Sequence, residues 1–580
     1  MSGNFTIEEH RTDVLVLGSG GAGLFGALHA KAANPELEVT VAVKGLLGKC
    51  GCTRMVQGGY NVALAPGDSA ERHFMDTVDG GKWINRQDLA WKLVTEAQVR
   101  IRELENELGC FFDRNPDGSV HQKAFAGQTF DRTVHKGDLT GIEIIINRLS
   151  EQVWARDIKR LEDHRAVALV PAADGSGIAG VLMIDMRAGT FRLVRAAAVL
   201  LATGGGPTMY KYHTPSGDKT CDGMAMALRA GLTLRDMEMV QFHPTGLIAG
   251  EDTRITGTII EEGLRGAGGY LLDGNEERFM HKYDERGERA TRDIVSRGMF
   301  QEMREGVTAK NGGLYITMRH LEAPLVRKSF KGMVERCADC GFDLVGGLVE
   351  VVPTAHYMMG GLVFEPDCTT EMAGLYAAGE DTGGVHGANR LGGNGVANST
   401  VFGGIAGDSI AATIKPGQAV PDVDQSVIDA TMALCRQPLD RPAGRIDEVR
   451  TELWDHMWDD AGIVRDAASL KRADAKLIEL DAQLDTVGVA ESNLAYNLTW
   501  HDWLNLKNLI LVSKGIVAAA TAREDSRGAH FRADYPEVRD LENSTYTVVN
   551  LKDDKIQLGT KPVDFSIVKP GETLLDTDAA

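Results

Sequence analysis

Residues 12–45 read TDVLVLGSGGAGLFGALHAKAANPELEVTVAVKG: an apolar run, a glycine turn, an alanine-rich stretch of helical character, and a second apolar run, VTVAV. That order specifies a βαβ unit. Gly18, Gly20 and Gly23 form G-x-G-x-x-G where the first strand should end and the helix begin. In that position the glycines allow a tight turn and the close approach of a pyrophosphate, whose charge the helix N-terminus stabilises. The acid that usually closes the second strand and binds a ribose is missing, and Lys44 stands near its place. A nicotinamide fingerprint is therefore incomplete.

Working outward, AAAVLLATGGG at 196–206 is another apolar strand ending in glycines, and GLYAAGE at 374–380 closes a third on an acid. Each alone reads equally as an ordinary buried strand with a turn. Together they describe a sheet fed from distant parts of the chain, as an FAD-binding domain with an inserted second domain requires. From 416 to 522 glycines thin out and stretches such as SLKRADAKLIELDAQLDTV read as amphipathic helix. TYTVVNL and DKIQLGT near the end are short alternating strands, followed by what reads as a loose tail. The fold class is multidomain α/β. The expected divisions are a Rossmann-like FAD-binding domain at 1–245 and 351–415, an inserted capping domain at 246–350, a helical domain at 416–530 and a small C-terminal domain at 531–580.

A chain of 580 residues is too long for one core. Its 43% hydrophobic and 25% charged content is that of a globular protein. The formal net charge of −20, from 82 acidic and 62 basic residues with no basic face in evidence, argues against nucleic-acid binding. No basic region followed by an apolar one marks the N-terminus for export, which points to the cytoplasm. No apolar run is long enough to span a bilayer, so membrane association must go through a partner. The eight cysteines do not form a disulfide scaffold, and the CADC pair Cys337/Cys340 lacks a second pair at metal spacing. No metal site is expected.

Polar clusters gather elsewhere: QFHPTG at 241–246, EEGLRGAGG at 261–269, TRD at 291–293, HYMMGG at 356–361 and HGANRLGGN at 386–394. They supply three histidines and three arginines. Such a set suits a dianion, because guanidinium forks hold carboxylates in bidentate geometry and imidazoles donate to the remaining oxygens. Singly, His243 reads as a core histidine, Arg292 beside Asp293 as a local ion pair, and Glu262 with Arg265 as a solvated helix pair.

The order GSGGAG, QGG, QFHPTG, EGxRGxGG, RD, HYMMGG, GE, HGANRLGGN and DSRGAHFRADYPE resembles the flavoprotein subunits of the succinate dehydrogenase and fumarate reductase family over nearly the whole chain. HYMMGG with HGANRLGGN sets this group apart from the related L-aspartate oxidases. The resemblance implies FAD as cofactor and reversible oxidation of succinate to fumarate by hydride transfer to the flavin. It implies that His243, His356 and Arg390 bind the substrate carboxylates, with Glu261 beside them. Arg292 would exchange a proton with the substrate, and Glu262 with Arg265 would relay it to solvent. The cofactor would be held by Gly18, Gly20, Gly23, Lys44, Cys52, Thr53, Gln57, Gly58, Gly59, Glu380 and Asn394. An iron-sulfur subunit and a membrane anchor are implied as partners, which would hold the chain at the cytoplasmic face of the cell membrane.

The sequence departs from the family pattern at three points. Cys52 stands where the family commonly has the histidine that holds FAD covalently, so the cofactor is expected to be noncovalent, with a Cys52 thioether as the alternative. Glu261 replaces a threonine that hydrogen-bonds a substrate carboxylate; it must point away, be protonated, or serve another dicarboxylate. Gly395-Val396 replaces a serine-leucine pair. Two other functions stay open: a soluble flavin oxidase or reductase of a related dicarboxylate such as L-aspartate, and an inactive flavin-binding subunit.

Overall fold

The computed structural model describes residues 7–250, 253, 255–491 and 493–575. The expected limits of the first and last divisions, at residues 1 and 580, lie outside the described residues, as does the very start of the segment read for an export signal.

The βαβ unit forms as read, with β1 (Ile7–Leu17) beginning earlier than the motif suggested, α1 (Gly21–Ala33) and β2 (Val39–Val43). β1 lies at the centre of a seven-stranded sheet, paired in parallel with β2 on one side and with Thr190–Leu201 on the other. Leu375–Ala377 pairs in parallel with the end of Thr190–Leu201, so the strand ending in GLYAAGE joins the sheet at that strand, across a long insertion. α1 is buried along most of its length because helix Asn394–Thr413 lies against it: a Cβ on Gly407 would come within 2.4 Å of the Gly26 carbonyl oxygen.

Chain 240–358 builds a second body. Val240–Leu247 pairs antiparallel with Val349–Met358, and Leu314–Thr317 and Tyr270–Leu272 extend that sheet. Helix Arg292–Arg304 packs on it, and residues such as Leu247, Ile260, Leu264, Met299 and Val351 form a local apolar core.

Helices Gln425–Arg436, Ile446–Ala461, Ala467–Leu484 and Leu498–Ala522 follow, the third carrying the stretch read as amphipathic and starting on a capping box at Asp466 and Ser469. Thr545–Lys552 and Lys555–Pro562 form a hairpin turning on Asp553 and Asp554, both with positive φ. Its first strand pairs with Leu234–Arg235, so the hairpin is stitched to the nucleotide-binding half. Past the hairpin the chain up to Leu575 is not the loose tail expected: Phe565, Ile567, Val568, Leu574 and Leu575 pack against Phe74, Val78 and Trp91, and Gln87 bonds the Val568 backbone at both N–H and C=O. Burial of those apolar side chains outweighs the entropy of ordering the segment. Among the described residues no helix is long and apolar enough to cross a membrane.

Candidate active site

A cavity of about 420 Å³ runs between the two bodies. One end is lined by Gly20, Gly21 and Ala22 from the β1–α1 turn, Cys52 to Gly59, and Glu380; the other by His243, Glu261, Glu262, Arg292, His356 and Arg390.

Strand pairing brings the two histidines together. His243 lies opposite Thr354 on Val349–Met358, two residues before His356, and the rings stand 5.4 Å apart, edge to face. Burial, then the surrounding arginines, holds both imidazoles well below their ordinary pKa, so both are neutral. The Thr245 backbone N–H donates to His243 Nδ1 at 3.3 Å. The neutral ring therefore carries its proton on Nε2, as a donor. Thr214 Oγ1 bonds His356 Nδ1 at 2.9 Å.

Arg292, the first residue of helix Arg292–Arg304, gives Glu262 Oε2 a two-pronged pair, Nη2 at 2.6 Å and Nε at 3.0 Å. The local pair with Asp293 does not form; Asp293 instead accepts from Asn389. Glu262 and Arg265 are not a solvated pair either: both are buried, with Arg265 Nη2 3.2 Å from Glu262 Oε1. Burial works to raise the Glu262 carboxyl, but Arg292 and Arg265 outweigh it and hold it below its ordinary range. Arg265 donates onward to the Glu288 carbonyl at 2.7 Å, and the Glu288 carboxylate pairs with the partly exposed Arg278 at 2.7 Å. Polar groups thus step from the cavity toward the surface, with Glu288 meeting Arg265 through its main chain and Arg278 through its side chain. Gln241 Oε1 accepts from both Arg292 Nη1 (3.0 Å) and Arg390 Nη2 (3.1 Å), holding two like charges in one wall. Burial and Arg292 push Arg390 down to about 10, and its guanidinium lies 4.5 Å over the Tyr357 ring.

At the cofactor end, Gly18 has φ 112 and a Cβ there would lie 2.1 Å from the Ala202 oxygen, so this turn admits only glycine. α1 has Gly20 as its N-cap, with no side-chain cap and no acid in its first turn, leaving its positive end for an anion. Thr53 Oγ1 takes the Gly21 N–H at 3.0 Å, and Gln57, whose buried Oε1 has no partner among the described residues, lines the same wall with Gly58 and Gly59. These features fit a dinucleotide. Glu380 accepts from the Met358 N–H at 3.0 Å and, by burial first, is raised to about 7. The partly accessible Cys52 has its thiol pushed up to about 12 by burial and then by Glu380. Two expected cofactor side chains stand outside the main cavity, and one of them, Lys44, shares a smaller one with Gly18 and Gly20. Lys44 pairs with Asp222 at 2.7 Å and lines a smaller cavity behind the glycine turn. The Asn394 side chain is committed to Asn61, His73 and Thr77. It ties down the start of helix Asn394–Thr413 and does not reach the cavity.

Gln241 opens the QFHPTG motif, but its bridging of two arginines is a matter of geometry that the motif does not carry. Thr214 and Lys123, which bonds Glu261, lie in no motif; only the fold delivers them.

A family model described as FAD binding domain matches residues 13–396, and one described as Fumarate reductase flavoprotein C-term matches 450–574. The chain is 40% identical over 543 residues to a fumarate reductase (CoM/CoB) polypeptide of Methanothermobacter marburgensis, covering 92% of this chain and 96% of that one. The chain belongs to the fumarate reductase/succinate dehydrogenase flavoprotein family. It is 32% identical to the fumarate reductase flavoprotein subunit of Escherichia coli, over 91% of this chain and 89% of that one. A solved E. coli quinol fumarate reductase FrdA superposes with a TM-score of 0.90 at 31% identity, covering 98% and 99% of the two chains. Like the family, this chain is an FAD-dependent oxidoreductase.

Proposed function

We propose that the chain is the flavoprotein subunit of a fumarate reductase, interconverting fumarate and succinate and exchanging electrons with an iron-sulfur subunit. The observation that supports this most directly is the continuous cavity whose one end suits a dinucleotide and whose other end presents His243, His356, Arg292 and Arg390. FAD supplies two-electron hydride exchange when bound, at the wall formed by residues 20–22, 52–59 and Glu380.

The remaining work falls to side chains. Arg390 grips one carboxylate of the diacid, and His243 and His356, neutral and pre-oriented, donate to the carboxylate oxygens. With both carboxylates fixed, the double bond lies in reach of Arg292, and the entropy of alignment is spent on binding. Arg292 gives a proton to the substrate carbon; the ionised Glu262 takes a proton from Arg265 at Oε1 and passes one to Arg292 from Oε2, 2.6 Å away, and Arg265 regains its proton from solvent.

Noncovalent FAD fits a Cys52 thiol that burial keeps protonated, and a noncovalent flavin, with its lower potential, favours fumarate reduction. The chain has no cysteine runs of iron-sulfur type and no described membrane-crossing helix, so a cluster-bearing subunit and an anchor would complete the complex at the inner membrane face. The 40% identity to a relative named for CoM/CoB favours a second reading, in which thiols and not quinols feed that partner. The test uses the FAD-loaded chain alone with fumarate. Reduced viologen should support turnover and quinol should not; quinol-driven turnover by the lone chain overturns the need for a partner, and peroxide formed from L-aspartate overturns the substrate.

A further inference from the structure

Glu261 is the carboxylate in the substrate end of the cavity that the proton chain above does not use. It is 1% exposed, and Lys123 Nζ reaches its Oε1 at 3.2 Å while also bonding the Gly137 carbonyl at 2.9 Å. Its Oε2 is buried and has no partner among the described residues. An orphaned, buried carboxylate oxygen costs a few kcal/mol unless something else bonds it or it takes a proton. Directly beside it the cavity is built to hold an anion, which an ionised Oε2 would repel.

We propose that Glu261 binds substrate in its protonated form, donating Oε2–H to a carboxylate oxygen of the diacid, so that the substrate enters together with one proton. This rests on the dicarboxylate reading of the site and adds the group that makes binding pH-dependent. The groups facing Glu261 decide the balance. Lys123, on the strand Gln122–Lys123, favours the charged form; Asp138, Glu262 and burial oppose it. Across the cavity His243 and His356 stay neutral above their depressed pKa values, and Arg390, lowered to about 10, stays charged near neutrality, so none of these three titrates where Glu261 does; Arg292 and Arg336 line the same cavity. Burial raises the free Glu261 carboxyl to about 7, and a bound dianion raises it further, so binding above neutral pH takes up a proton.

The test is binding of malonate, a dicarboxylate that does not react, to the FAD-loaded protein, followed by flavin absorbance and by calorimetry in buffers of different ionisation enthalpy. With a free-state value of about 7, affinity should fall about 50-fold from pH 7 to pH 9, with close to one proton taken up per malonate at pH 8. Glu261→Gln keeps an N–H donor without a titration, and should hold affinity within about twofold over that range with no proton uptake. Lys123→Met removes the cation that favours ionisation and should move the onset of the loss to higher pH. A wild-type slope surviving in E261Q, or binding without proton uptake, overturns the role of Glu261. Failure of malonate to bind at pH 6 in wild type overturns the dicarboxylate reading itself.

Discussion

Replacing Gln241 by glutamate alters one functional group at the joint between Arg292 and Arg390 and leaves the side chain's size unchanged. The two guanidiniums reach the same Oε1 at 3.0 and 3.1 Å, and a carboxylate there would be gripped by both. It would lose the two bonds that Nε2 now donates, to Asn389 Oδ1 and to the Arg390 carbonyl, which offsets part of the gain. Its effect on substrate is larger and has one sign. A carboxylate held by the same arginines lies about 6 Å from that oxygen, and at an effective dielectric of about 20 a dianion there is repelled by about 5 kcal/mol. That corresponds to a loss of affinity of about 10³-fold or more. Malonate titration of the flavin spectrum measures it directly, with FAD content as the control for folding. Gln241→Glu binding malonate within about fivefold of wild type refutes the assignment of Arg292 and Arg390 as a paired dianion receptor.

Glu262→Gln, which cannot pass a proton between Arg292 and Arg265, should cut viologen-linked fumarate reduction by about 10²–10⁴ while malonate affinity stays near wild type; equal turnover would sink the relay. Cys52→Ser should leave FAD content and turnover close to wild type, and acid precipitation should release flavin from both proteins; yellow colour kept only in the wild-type pellet would establish a thioether. His73, His243, His356, His386, His501 and His530 are buried with pKa values depressed chiefly by burial, to about 3 for His73 and His501. In the unfolded chain they protonate near 6.5, so their share of stability is intact above that pH and drains as pH falls below it, by about 1.4 kcal/mol per pH unit for each. Urea midpoints should drop steeply between pH 6.5 and 5.5; a flat profile contradicts neutral burial.

What the sequence disclosed followed local rules. The glycines at 18, 20 and 23 sit where strand and helix periods meet, and the polar motifs could be gathered because each is a compact cluster of unusual composition. What it withheld depends on register. That His243 faces His356 comes from one strand pairing, and that Arg292 bonds Glu262 and not its neighbour Asp293 comes from the helix start aiming its side chain back over the cavity. The Asn394 side chain could not be assigned without knowing that His73 and Thr77 surround it. The C-terminal segment looked loose because five scattered apolar residues show no period until Phe74 and Trp91 are set opposite them.

The division of the nucleotide-binding half between the two ends of an insertion also sets a timetable for biosynthesis. β1 and α1 leave the ribosome early, whereas strand Leu375–Ala377 and helix Asn394–Thr413, which close the sheet and cover α1, emerge more than three hundred residues after them. A nascent chain therefore exposes the apolar face of α1 through most of translation, and the flavin can be loaded only once synthesis has passed that helix.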